Sequence, residues 1–474
     1  MKTLAIDQGT TSTRAVLVSQ DGSAQLLHSV QHRQIYPAPG HVEHDAGELL
    51  GNLRACLAAA QGVDGITAVG LANQGESCLA WDGETGEPIC PVIVWQDDRT
   101  APGLVALADH ADLVMQRAGL PIDAYFSASK LGWIMRNVPA AKTLAAKGTL
   151  RLGTTDAFFR DRLCNRFETD PTTASRTSLM ALDSCTWDED LCDLFGVPVS
   201  ALPRIVPTNG DLGRLVGTDL TLRASIVDQQ AALYGHRCRA AGDTKITFGT
   251  GAFALSVTGP TLIRSAGGPL PTVAWQKAGE APTYALDGGV YAASSAINWA
   301  QGLGLFDGFD TINRFDADPA IGRGLAFVPA LSGLACPHWD RHARGAWMGL
   351  ALDTTKGDMM QAVLEGVAFR MTEVVRVIEA LQPLARTVSI DGGLSANPYF
   401  CAFLADALNR DVIVSDEAEL TAMGTAMLAA EAAGGGIDTP LQGQTIKTRG
   451  QPPAFQNRFR AARDAVQAFG TVSP

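Results

Sequence analysis

Leu4-Ala5-Ile6-Asp7-Gln8-Gly9-Thr10-Thr11-Ser12-Thr13-Arg14-Ala15-Val16-Leu17-Val18 joins two apolar runs through a short turn of glycine and hydroxyl residues. Apolar β-formers on either side of a Gly/Thr cluster read as strand, tight polar turn, strand. The same grammar returns at Lys245-Ile246-Thr247-Phe248-Gly249-Thr250-Gly251-Ala252-Phe253-Ala254-Leu255-Ser256-Val257. An opening hairpin that recurs past the middle of a chain implies two similar halves.

Other elements fit around these hairpins. Asp45 with Glu48 three residues on is a capping-box pattern, and Leu49, Leu50, Leu53 and Leu57 follow at helical spacing. Ile66-Thr67-Ala68-Val69-Gly70-Leu71 then reads as a strand. Strand, helix and strand in alternation predict an α/β layer architecture with helices packed on a sheet. In the second half, Met360, Val363, Leu364, Val367, Met371, Val374, Val375 and Ile378 share one helical face, and a strand at Val388-Ser389-Ile390 ends on Asp391-Gly392-Gly393. His236–Gly242 ends one helical stretch before the chain starts again, so the domains divide as 1–241 and 242–474. No low-complexity linker separates them, and the halves are expected to touch across a hinge.

Length and charge narrow the function. At 474 residues the chain suits two large domains or three small ones. Lys and Arg number 37 against 49 Asp and Glu, a net charge of −12. That balance lacks the basic footprint of a nucleic-acid binder. Asp7 interrupts the N-terminal apolar run before it reaches the length of a secretion signal, and no charge-poor apolar stretch approaches the roughly 18 residues of a membrane span. Nine cysteines stand singly with no Cys-x-x-Cys pair. They read as buried thiols in a reducing cytoplasm rather than a zinc or disulfide framework.

Three Gly-rich turns follow strands. Asp7–Arg14 sets a glycine, four hydroxyls and an arginine behind an aspartate. That composition suits a phosphate, since backbone N–H and hydroxyl donors cradle its oxygens and Arg neutralises its charge. Phe248-Gly249-Thr250-Gly251 offers a second donor turn. Asp391-Gly392-Gly393-Leu394-Ser395-Ala396-Asn397 offers a third, with Pro398 at a first helical position. None is a Gly-x-x-x-x-Gly-Lys-Ser/Thr loop, which disfavours a P-loop enzyme.

The chain resembles the FGGY family of carbohydrate kinases, and within it looks most like the glycerol kinases. The resemblance rests on Ile6–Ser12, Ile35–Asp45, Val94-Trp95-Gln96, Tyr125-Phe126-Ser127, Ala174-Ser175-Arg176-Thr177, Asp228–Leu233, Phe248–Gly251, Pro337–Asp340 with Ala343-Arg344-Gly345, Asp391-Gly392-Gly393 and Thr421–Ala426. It implies two α/β domains of the actin and sugar-kinase (ribonuclease H-like) ATPase fold, with ATP, Mg²⁺ and a small polyol or sugar in the cleft between them. It also implies a soluble enzyme that often forms homo-oligomers.

Phosphoryl transfer to an alcohol asks for positioning, charge neutralisation and a base for the hydroxyl proton. The resemblance assigns the base to Asp228, which also heads an apt helical first turn, Gln-Gln-Ala-Ala-Leu. Asp7, with Asp228, falls on the metal side, reaching Mg²⁺ through water. Thr10, Thr11, Ser12 and Arg14 fall on the ATP phosphates, with Gly249 and Thr250. Gly393 and Asn397 fall on the adenosine, opposite Ser294 and Asn298, where glycerol kinases typically carry Gly and Gln.

For the acceptor the resemblance points to Gly75, Glu76, Trp95, Tyr125, Asp228, Gln229 and Phe253. Gly75 is the departure. Glycerol kinases read Asn-Gln-Arg-Glu-Thr where this chain has Asn73-Gln74-Gly75-Glu76-Ser77, and their Arg grips a terminal hydroxyl. A charge-assisted hydrogen bond contributes about 1.5–3 kcal/mol, so glycerol is expected to bind more weakly here unless another residue substitutes. The missing side chain also leaves room for a tetritol, a pentitol, xylulose or ribulose. The rival reading is a non-kinase ATPase of the actin or chaperone kind. It has no use for Glu76, Trp95, Tyr125 and the Asp228-Gln229 pair together.

Overall fold

The computed structural model describes residues 1–471. Two large mixed sheets carry the fold. The first runs Leu222–Val227, Ile66–Asn73, Lys2–Gln8, Ser12–Ser19, Ala24–Gln31, with parallel pairing on the first side of Lys2–Gln8 and antiparallel pairing on the other. In the seven-stranded second sheet the strands Asp411–Ser415, Thr387–Gly392, Thr244–Phe248, Ala252–Gly259 and Thr283–Val290 repeat that order and sense. Leu270–Trp275 and Gly443–Ile446 extend it at its two ends.

The repeat begins where the sequence predicts it. Asp7 lies opposite Arg14 and Gln8 opposite Thr13, leaving Gly9-Thr10-Thr11 as the turn. Thr247 lies opposite Phe253 and Phe248 opposite Ala252, leaving Gly249-Thr250-Gly251. Leu4, Ala5 and Ile6 are buried in succession, as a strand covered on both faces requires.

The predicted helices form and bury the predicted faces. Ala46–Ala59 is capped by Asp45, whose side chain accepts from the Glu48 amide, and it buries Leu49, Leu50, Leu53 and Leu57. The box is only half made, because the Glu48 carboxylate turns to Arg33. Lys356–Leu381 has the complete reciprocal box from Thr355 and Asp358, and its buried stripe runs from Met360 to Ile378. All nine thiols are free, and eight of them are buried. Among the described residues no helix is long and apolar enough to cross a membrane.

The two halves do more than touch. Helices Asp228–Gly235 and Leu420–Ala432 approach so closely that a Cβ on Gly424 would overlap the Ala231 carbonyl, and one on Gly235 the Leu420 carbonyl. Around them Ala5, Val16 and Ala68 share one buried cluster with Leu255, Val257, Met427 and Ala429.

Parallel pairing then fixes where function can lie. Gln8 is opposite Asn73, and Asn73 is opposite Val227, so three strands end level at one edge of the first sheet. Ligands of open α/β sheets bind outside the carboxyl ends of such strands. Thr10, Gln74-Gly75-Glu76 and Asp228-Gln229 all follow within three residues of those ends.

Candidate active site

A cavity of about 150 Å³ opens at that edge, between the two domains. Every acceptor residue expected from the sequence lines it: Gly75, Glu76, Trp95, Tyr125, Asp228, Gln229 and Phe253. Thr10, expected on the phosphates, lines it too, and its Oγ1 accepts from Trp95 Nε1 at 3.1 Å. The first phosphate turn is thereby tied to the acceptor wall.

Local structure sets each side chain. Glu76 sits on a turn with φ of 59°, a left-handed conformation that a non-glycine residue adopts only where its surroundings enforce it. Ser127, which opens the helix Ser127–Asn137, donates to the Glu76 carbonyl at 2.9 Å, and Arg176 Nε donates to Glu76 Oε1 at 2.7 Å. Trp95 and Tyr125 meet edge to face at 5.6 Å, giving the cavity an aromatic wall for a carbon chain. The Phe253 ring needs the bare backbone of Gly289, where a Cβ would stand 3.1 Å from it.

Asp228 opens the helix Asp228–Gly235, and its Oδ1 accepts from the Gln229 amide at 2.7 Å. Burial, then the negative charges of Asp7 and Glu76, push its carboxyl up to about 7. Asp7 is pushed up to about 6 by burial and Glu419, with Arg14 opposing. Two enclosed carboxyls that resist ionising together are a ready place for a cation. Among the described residues no group of three or more His, Cys, Asp or Glu forms a metal cluster. Two carboxylates suit Mg²⁺, which completes its octahedron with water and substrate phosphates.

The second and third phosphate turns come together. Phe248 lies opposite Gly392 in parallel pairing, which sets Gly249 and Thr250 beside Gly393 at one edge of the second sheet, all three exposed. The Thr250 carbonyl accepts from the amides of Ala293 and Ser295, and the Gly249 carbonyl from that of Ser294, so the turn is braced on the helix Ser294–Gly302. The Ser294 hydroxyl has no partner, and Asn298 is exposed one turn on.

Three expected site residues behave differently from the rest. Asn397 caps the helix Pro398–Leu408 through Oδ1 while Nδ2 donates to Ile312, so its buried side chain is already satisfied within the protein. Arg14 is held at 3.0 Å by Glu419 from the other domain. The room expected at Gly75 is partly taken, for a Cβ there would stand 2.9 Å from Val227 Cγ2.

Sequence reasoning missed Gln74, Arg176, Gln230 and Asp287, all in the cavity wall. It also missed Lys245, a buried cation from the second sheet whose Nζ donates to Gln229 Oε1 at 2.7 Å. Arg176 stood in a quoted motif without a role. Asp287 interrupts the apolar strand Thr283–Val290, and a lone acid in such a run was the available signal.

Residues 2–222 match the N-terminal domain of the FGGY family of carbohydrate kinases, and residues 244–433 its C-terminal domain. A glycerol kinase of Thermus brockianus is 40% identical over 437 residues, covering 89% of this chain and 88% of the relative. One of Dechloromonas aromatica is 40% identical over 448 residues, covering 91% and 89%. The crystal structure of Plasmodium falciparum glycerol kinase with ADP superposes with a TM-score of 0.92 at 27% identity, covering 100% of this chain and 99% of that one. A gluconate kinase from Lactobacillus acidophilus shares the fold, with a TM-score of 0.87 at 21% identity. The chain belongs to the FGGY family of carbohydrate kinases and is an ATP-dependent phosphotransferase with an alcohol group as acceptor.

Proposed function

We propose that the protein transfers the γ-phosphoryl group of ATP to a terminal hydroxyl of a three- or four-carbon acyclic polyol, with Asp228 as the general base. The position and state of Asp228 carry the reading: its carboxyl faces the acceptor cavity and is poised near neutral pH, where a base is most effective. Trp95, Tyr125 and Phe253 lie along the carbon chain, while Glu76 and Gln229 take its hydroxyls. Lys245 holds the Gln229 carbonyl oxygen, which leaves the amide N–H₂ free to donate.

Asp7 and Asp228 would hold Mg²⁺, whose charge neutralises the phosphate oxygens when it is bound. Thr10, Thr11, Ser12 and Arg14 from one domain and Gly249 and Thr250 from the other close on the phosphates. Gly393, Ser294 and Asn298 line the adenosine, and Asn397 supports them by capping the neighbouring helix. Closure of the two domains excludes water, which otherwise competes with the acceptor.

Acceptor length follows from space. An engineered cavity of about 150 Å³ in another protein takes a six-atom ring. The volume here therefore suits a triol or tetritol better than a pentitol or ketose. The relatives named for glycerol point the same way. Nine free thiols and an ATP requirement fit a cytoplasmic enzyme.

The test is ADP release with Mg-ATP against glycerol, erythritol, threitol, the pentitols, xylulose and ribulose, with a no-acceptor control. A three- or four-carbon polyol should give the highest kcat/KM. Asp228→Asn should lose about 10²–10⁴-fold in kcat while still binding nucleotide and polyol. Equal ADP release without acceptor would return the protein to the non-kinase ATPases.

A further inference from the structure

We propose that Arg176 and Asp287 together hold the acceptor hydroxyl remote from the phosphorylated end, in place of the arginine absent at position 75. This deepens the acceptor assignment and rests on the reading of the cavity as a polyol site. Arg176 is the one cationic side chain lining the cavity among the described residues.

Its guanidinium is held in place. Asp170 caps the preceding short helix Pro171–Ala174 by accepting from the amides of Thr172 and Thr173, and the guanidinium lies 5.4 Å over the Phe126 ring. Nε is committed to Glu76, but Nη1 has no hydrogen-bond acceptor although it lies 3.3 Å from Asp287 Oδ2. Asp287 Oδ1 is likewise buried and unpartnered, as are both polar atoms of the Gln74 amide in the same wall. Buried groups without partners are costly, and so many around one cavity mark a place where a ligand supplies what is missing.

A hydroxyl supplies it. A C–OH group donates one hydrogen bond and accepts others, so a single hydroxyl accepts from the guanidinium and donates to the carboxylate. Neither a carbonyl oxygen, which only accepts, nor a methyl group completes the pair, so the site selects acceptors ending in CH₂OH. Arg176 belongs to the first domain and Asp287 to a strand of the second sheet. One hydroxyl therefore bridges both domains, and its binding favours the closed cleft.

The test pairs each polyol with an analogue lacking the remote hydroxyl: glycerol with 1,2-propanediol, and erythritol with 1,2,3-butanetriol. The intact enzyme should prefer the full polyol by about 10–100-fold in kcat/KM, as expected for a charge-assisted hydrogen bond. In Asp287→Asn that ratio should fall below about threefold, mainly through KM. Where Asp287→Asn fails to fold, Arg176→Lys, which keeps the cation, reads the same ratio. A ratio that stays at the intact enzyme's value, or an equal loss on both members of a pair, overturns the proposal. If no acceptor is phosphorylated, calorimetric titration of the intact protein with glycerol and erythritol separates the two readings. Heat that vanishes in Asp287→Asn keeps the hydroxyl site and removes the kinase assignment, whereas absence of heat removes both.

Discussion

Gly75→Arg restores by one substitution the residue that glycerol kinases carry, and the structure says that it will not suffice. Gly75 is not among the residues with positive φ, so its backbone accepts a side chain. Its Cβ, however, would stand 2.9 Å from Val227 Cγ2, and Val227 is 2% exposed and leads directly into Asp228. It yields only if its buried side chain leaves its rotamer or the strand that leads into Asp228 moves. Overpacking of this kind costs about 1–3 kcal/mol. The regained charged hydrogen bond contributes about 1.5–3 kcal/mol. A displaced Val227 also displaces Asp228, and that misplacement offsets the gain in binding, so kcat/KM for glycerol should change by less than about fivefold in the single variant. Its Tm should fall by several degrees, at about 2–4 °C per kcal/mol for a domain of this size. Gly75→Arg/Val227→Ala removes the offending methyl and should lower KM for glycerol by about 10–150-fold relative to Val227→Ala alone. Steady-state kinetics by ADP release and thermal unfolding read both quantities. Full gain in the single variant with no loss of Tm would show that Val227 is not an obstacle. No gain in the double variant would show that Arg176 and Asp287 already supply what the arginine would add.

The metal-free protein should bind Mg²⁺ more tightly as pH rises from about 5.5 to 8, because the cation must expel the protons that burial keeps on Asp7 and Asp228, poised at about 6 and about 7. Calorimetry in buffers of different ionisation enthalpy should show proton release on binding, and a pH-independent affinity would refute the pairing. The stability sign is fixed by the same shifts. Both carboxyls sit above their unfolded value of 3.8, so the folded state holds more protons between about 4 and 7, and Tm in chelator should fall as pH rises through that window. Glu419→Gln should release Arg14 for the phosphates and lower KM for ATP by up to about fivefold, since a part-exposed ion pair contributes only about 0.2–1 kcal/mol. A raised KM would instead make Glu419 a positioning residue for Arg14.

Local chemistry made the two hairpins legible. Gly9-Thr10-Thr11 and Gly249-Thr250-Gly251 can only be turns between runs as apolar as Leu4–Ile6 and Ala252–Leu255. The helix Lys356–Leu381 was legible for the same reason, its 3.6-residue stripe and its capping pair lying within one stretch of chain. Half of the Asp45 box failed because Arg33, brought alongside by the fold, competes for Glu48. Asn397, expected beside the adenosine, caps the helix Pro398–Leu408 through the nearby Phe400 amide, while the Ile312 carbonyl that takes its Nδ2 is a partner only the fold supplies.

By itself the sequence determined the period, the turns, the acids and the hydroxyls, because these depend on neighbours a few residues away. Tertiary structure alone decided that Asp7 lies close enough for its charge to act on Asp228, that Val227 fills the space beside Gly75, and that Arg176 meets Asp287. Those partners lie up to 221 positions apart, as Asp7 and Asp228 do, and come together only through parallel strand pairing and the close crossing of the helices at Gly235 and Gly424. Such pairings are set by burial across the whole core, and no local pattern encodes which strand ends will finish level.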